Sequence, residues 1–230
     1  MSFCCEIALR GDRSAGPTVG AWFDAGPRLA WERLADLSAF DVYVPAHGQA
    51  RDPFNDDGPG PLLIAMLDFA SDDGLRRAIA GDEIASALRN LPAGVTATAT
   101  ALERRFYPVA GESKAGPLIA PFSHVVRYHR PADEEAAFVA NYVATHPTTQ
   151  ARLPAIRSIL CYFPLDRLNP PHLTSADYLV GNEVVFDDIE AFNVAMASPA
   201  RHELRDHFHR FPRFSGANTH YPMLRTRVFG

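Results

Sequence analysis

The sequence is poor in cysteine, in net charge and in long apolar runs. Its 230 residues hold three cysteines, two of them adjacent. That makes neither a disulfide framework nor a zinc site, and it predicts a reducing, cytoplasmic setting. The formal net charge is -5, with no run of lysine or arginine. Nucleic acid is held by a basic stripe that displaces counterions, so no nucleic-acid partner is expected. No apolar stretch approaches the ~18–20 residues of a membrane span, which predicts no membrane partner. The start, Met1-Ser2-Phe3-Cys4-Cys5-Glu6, lacks the basic and then apolar pattern of a secretory leader. A G-x-S-x-G elbow, a P-loop and a G-x-G-x-x-G fingerprint are also missing, so no organic cofactor is read from motifs.

What is present is an ordinary packed composition, 47% hydrophobic and 21% charged, written out twice. A strand-like run, Phe3–Arg10, precedes an amphipathic stretch at residues 20–34 and a short run, Tyr43–Pro45. A Pro/Gly/Asp-rich loop at 46–60 follows, then a strand, Leu62–Phe69, an acidic helix start, Ser71-Asp72-Asp73, and a last strand, Val95–Tyr107. The same order returns as Phe122–His129, residues 134–153, Tyr162–Pro164, a loop at 165–175, Tyr178–Phe186, Asp187-Asp188 and Asn218–Phe229. Each pass reads β-α-β-β-α-β, the ferredoxin-like split βαβ pattern. The expected division is a unit over 1–110, a Gly/Pro-rich linker over 111–121 and a second unit over 122–230. A four-stranded sheet with both helices on one side leaves its other face open. Two such sheets packed face to face as an α+β barrel would explain the duplication, giving a pseudo-dimer within one chain. A true homodimer through edge strands, or through a patch near Arg10 and His129, stays open.

Strand residues alternate between faces, so the passes can be compared position by position. Phe3, Cys5, Ile7 and Leu9 form an apolar face that should lie under helices; the matching positions are Phe122, His124, Val126 and Tyr128. Aligning Phe69 with Phe186 sets Leu63, Ala65 and Leu67 opposite Val180, Asn182 and Val184. Asn182 then needs a partner, because an unpaired buried amide costs roughly 1–3 kcal/mol; a ligand, a water or His124 could serve. Phe138, Tyr142 and His146 recur at helical spacing and should look at the sheet. Aligning Phe23 with Phe138 places Trp31 where the second pass has His146. The first pass would therefore plug its sheet–helix space with Trp31, while the second keeps a titratable imidazole beside a pocket.

Eight of the nine histidines follow residue 122, and histidine is the usual acid–base side chain near neutral pH. His146, His124 and Tyr128 are the catalytic candidates; Asn182, Tyr142 and Phe138 are the substrate-binding candidates. Against each stands a plainer reading: a histidine bonded to a carbonyl, or a tyrosine that only packs. His129 should point to the opposite strand face in a solvated or ion-pairing role. His202, His207 and His209 suggest a metal cluster, but spacings of five and two do not share a helix face, so no metal is assigned. The facing of His220 stays open. The carboxylates at both helix starts read as caps, and Cys161 as core.

Phe138, Tyr142 and His146, the Leu153-Pro154 that follows, and VVFDDIEAFNVAMASP at 184–199 resemble the dimeric α+β barrel superfamily. The second pass looks most like its EthD-like branch; the first matches in outline and lacks the histidine. The resemblance implies a cofactor-free enzyme doing His-mediated proton chemistry on a small apolar or aromatic catabolic intermediate, of isomerase, cyclase, dehydratase or lyase type. It equally implies two alternatives: a non-catalytic accessory or ligand-binding protein of a degradation pathway, and a haem-binding or monooxygenase member.

Overall fold

Eight runs of alternating side chains form strands, and the helices between them are set by local caps and breaks. The computed structural model describes residues 2–54, 57, 60–109, 120–166 and 168–230. In chain order the elements are β1 (Ser2–Arg10), α1 (Gly16–Ala25), α2 (Pro27–Trp31), β2 (Leu37–Pro45), β3 (Leu63–Phe69), α3 (Asp72–Ala80), α4 (Glu83–Ala87) and β4 (Thr96–Tyr107). The second half has β5 (Phe122–His129), α5 (Glu135–Gln150), β6 (Ser158–Pro164), β7 (Tyr178–Phe186), α6 (Ile189–Met196), α7 (Pro199–Phe208) and β8 (Asn218–Phe229). The expected linker lies almost wholly outside the described residues.

Of the acidic pairs only Asp188 is a cap; at α3 the cap is Ser71, and Asp72 pairs with Arg76. Ser71 accepts from the Gly74 amide and Asp188 from the Ala191 amide, while Asp187 pairs with Arg157. The amphipathic stretch 20–34 is not one helix. It breaks at Gly26-Pro27, because proline has no N–H to continue the ladder and starts α2 instead. Its counterpart α5 runs unbroken through Pro147. The short runs at Tyr43–Pro45 and Tyr162–Pro164 are the ends of longer strands.

The strands close into an eight-stranded antiparallel barrel in the order β1-β3-β2-β8-β5-β7-β6-β4. Within each half the spatial order is the same: β4-β1-β3-β2, then β8-β5-β7-β6. The open faces do meet across the lumen, as expected. Closure, however, comes from hydrogen-bonded edges, β2 on β8 and β4 on β6, and not from stacked sheets. This leaves the barrel no unpaired edge strand.

The lumen sets an internally paired polar network among apolar side chains. Arg127 donates to Glu6 at 3.1 Å, and the Tyr178 hydroxyl donates to the same carboxylate at 2.8 Å. Glu183 accepts from Ser123, Tyr162 and Tyr43. Gly181 makes room for this network, since a Cβ there would lie 2.9 Å from the Arg127 side chain. His129 lies at the barrel mouth against Tyr178 and Thr219, on the face expected for it. The helices pack on the outside. In the first half they cover a core in which Trp31, Phe23 and Phe40 meet edge to face. The three cysteines are buried and free.

Candidate functional site

The outer face of the second half's sheet is where the polar residues collect. Alternation along β5 sends Phe122, His124, Val126 and Tyr128 toward the helices. Register brings Asn182 and His220 to either side of Val126. From above, α5 and α7 cover this face. Between sheet and helices lies a cavity of about 60 Å³ whose lining includes His124, Tyr128, His146, Gln150, Asn182 and His220. A second space of about 260 Å³ adjoins it through His124, His220 and Asp52, and reaches the loop after β2.

His146 is 6% exposed, its ring between Tyr142 at 4.7 Å and His207 at 5.9 Å, with Phe211 at its edge. His124, also 6% exposed, rests on Phe192 and stacks on His220 at 5.7 Å. Burial lowers both imidazoles to about 3, and a neighbouring histidine, His207 or His220 respectively, adds to the shift. Both rings are therefore neutral near pH 7. Each keeps a buried Nδ1 with no hydrogen-bond partner, as does the Gln150 Oε1. Burial also raises the Tyr128 hydroxyl, so it stays a protonated donor.

Asn182 does find partners, but neither is His124. Its Nδ2 donates to the Tyr142 hydroxyl at 2.6 Å, and its Oδ1 accepts from Gln150 at 3.2 Å. Of the six residues singled out, His124, His146, Tyr128 and Asn182 meet at the cavity. Tyr142 stands behind Asn182, and Phe138 packs among Tyr128, Phe211 and Phe214.

Sequence reasoning missed several members. Gln150 sits one helical turn past His146, so the same periodicity points to it. His220 follows from alternation on β8, with Tyr221 and Met223 turned to the lumen core. His207 stands beside the site, its ring stacked on that of His146. His202 lies against Phe54, and His209 beside Phe208. Among the described residues no group of three or more metal-binding side chains converges.

The remaining members come from the first half. Residues 49–54 cross over α6 and α7: Arg51 donates its amide to Asn193 at 2.8 Å, and Asn193 donates back to the Gln49 carbonyl. Asp52 holds Arg201 through a paired contact, with both side chains buried. Phe54 lies under the Arg201 and Arg205 guanidinium groups. Nothing in the sequence of the loop signals this reach of more than a hundred residues.

No protein-family model matches the chain, and no curated protein matches it. Solved structures do. An anthrone oxidase-like protein superposes with a TM-score of 0.61 at 14% identity, covering 99% of this chain and 92% of that one. A monooxygenase-like protein of Lactobacillus acidophilus gives 0.54 at 10% identity, covering 99% and 96%. A chlorite dismutase variant from Candidatus Nitrospira defluvii gives 0.52 at 11% identity, covering 96% and 90%. At these identities the likeness is one of fold: an antiparallel α+β barrel. No helix among the described residues is long and apolar enough to cross a membrane.

Proposed function

We propose that this chain is a fused pair of ferredoxin-like units whose second, EthD-like unit is a small-molecule enzyme using histidine for proton transfer without a cofactor. The single observation that carries this reading is the pair His124 and His146. Both are buried, neutral imidazoles with an unpartnered Nδ1, and both line one cavity with the Tyr128 hydroxyl. A neutral imidazole in such a place is a proton acceptor, and a buried phenol is a donor. His146 takes a proton from a carbon beside a carbonyl, and Tyr128 donates a hydrogen bond to the oxygen on which charge develops. His124 and Asn182 hold the ligand's orientation. Because burial makes an isolated imidazolium costly, the step works only where substrate anion and imidazolium form side by side. Isomerisation, dehydration, cyclisation and lyase cleavage share this first step.

The substrate class is small and flat, from the scale of the space, with an apolar body against Val126, Val184, Met196 and Leu204 and polar atoms toward the histidines, Gln150 and Asn182. The first unit is structural: Trp31 occupies its corresponding core. The space beside His146 is about 60 Å³ and the adjoining one about 260 Å³, a scale that favours a small ligand over a porphyrin. The burial of His124 and His146 also favours a second reading, a binding protein that carries a small ligand without turning it over.

Proton exchange separates the two. A panel of small ketones and phenols in D₂O, followed by NMR, should reveal at least one compound whose C–H exchange the protein accelerates. His146→Ala should lower that rate about 10²–10⁴-fold. Retained exchange in the variant would remove His146 from the chemistry; saturable binding without exchange by the wild type would favour the carrier.

A further inference from the structure

His124 and His146 share a deficiency: the buried Nδ1 of each has no partner to hold an added proton, although Asp52 and Asp57 favour charge on His124 from nearby. A third imidazole in the same space has one. His220 on β8 lines both the inner cavity and the adjoining one. Its Nδ1 is 2.6 Å from Asp57 Oδ2, and the two side chains are 10% and 22% exposed. Asp57 belongs to the loop after β2, so the pair is built from both halves of the chain. Burial alone would raise the Asp57 carboxyl, but the hydrogen bond and charge of His220 bring it below the usual carboxylate value.

The geometry points to Asp57–His220 as the proton-holding couple of this site, acting on the same small carbon acids as His146. This rests on the reading of the site as an acid–base enzyme. Asp57 accepts from Nδ1–H of His220, which fixes the tautomer and leaves Nε2 as the nitrogen that exchanges protons on the cavity side. The His124 ring, parallel within 25° and 5.7 Å away, backs His220 as a neutral plate. Burial already disfavours a proton on His124, and a charged His220 beside it disfavours one further. Asp52, Arg201, Arg205 and Arg13 are the other charged groups lining this space, and Asp52 and Arg201 pair with each other. Beside His146 the site thus has a second imidazole able to take a proton from substrate carbon and return it to another substrate atom, His220 held against Asp57. Asp57 is a positioning residue here, and His220 a catalytic one.

The test uses the full chain and 5-nitrobenzisoxazole, a small flat carbon acid. A base removes its C3 proton, the C–H electron pair completes a nitrile, and the N–O bond breaks to give a coloured phenolate. His220→Gln should lower kcat about 10²-fold. Asp57→Asn should lower kcat about 10-fold with KM unchanged, and Asp57→Glu should recover most of it. In parallel, side-chain ¹⁵N spectra of the wild type should show neutral His220 protonated on Nδ1, and Asp57→Asn should lose that preference. Wild-type kcat in Asp57→Asn and His220→Gln, or a wild-type His220 protonated on Nε2, would overturn the couple while leaving His146 in place. A wild-type rate no greater than that of free imidazole would instead overturn the acid–base reading, and this proposal with it.

Discussion

His124 and His146 keep their neutral forms because both rings are shut between aromatic neighbours, and burial outweighs the pull of Asp52 and Asp57 on His124. The consequence for stability has a definite sign. Folded values of about 3 lie well below the ordinary 6.5, so the unfolded chain binds protons that the folded chain does not. Stability associated with these two groups is fully present above pH 6.5. It declines as pH falls from 6.5 toward 3, by roughly 1 kcal/mol per pH unit for each ring. Urea unfolding at steps between pH 7 and pH 4 should show this slope, and replacing both rings by glutamine should flatten it. A slope unchanged in the double variant would show that the rings are open to solvent.

Among the elements, the loop after β2 matters most for the site. Its described residues bridge to α6 and α7, and Asp52 is the main tie. Removing one partner of a buried ion pair leaves the other charge uncompensated, at a cost of about 3–5 kcal/mol. Asp52→Ala should therefore destabilise the chain by that order in chemical unfolding, and speed amide exchange in α6 and α7 selectively. Uniform loss of protection over the whole barrel would contradict the role of a local strap. The strands of this architecture were legible because alternation is a short-range property: Phe122, His124, Val126 and Tyr128 could be assigned to one face from spacing alone. The helix face of Phe138, Tyr142 and His146 was legible for the same reason. Asp52, Asp57 and Arg201 were not, because their meeting depends on how the halves join. The break at Gly26-Pro27 shows the limit of periodicity, since an amphipathic stretch does not reveal that a missing N–H ends its first helix.

For the whole molecule, edge pairing of β2 with β8 and β4 with β6 makes one barrel from a repeated order of elements. It also lets the halves diverge. One packs its outer core with Trp31, Phe23 and Phe40; the other keeps a cavity edged by His124, Tyr128, His146 and Asn182, and borrows Asp52 and Asp57 across the join. That borrowing sets the loop of one half against the helices of the other within a single chain. Phenol is small and flat enough to probe the central claim, that a molecule of this kind sits against the buried imidazoles of the second half. The most direct measurement is a phenol titration followed through histidine side-chain ¹⁵N resonances. The account predicts saturable shifts at His124, His146 and His220, with His47 and His172 unmoved. Saturable shifts confined to other histidines, or none at any concentration, would contradict it.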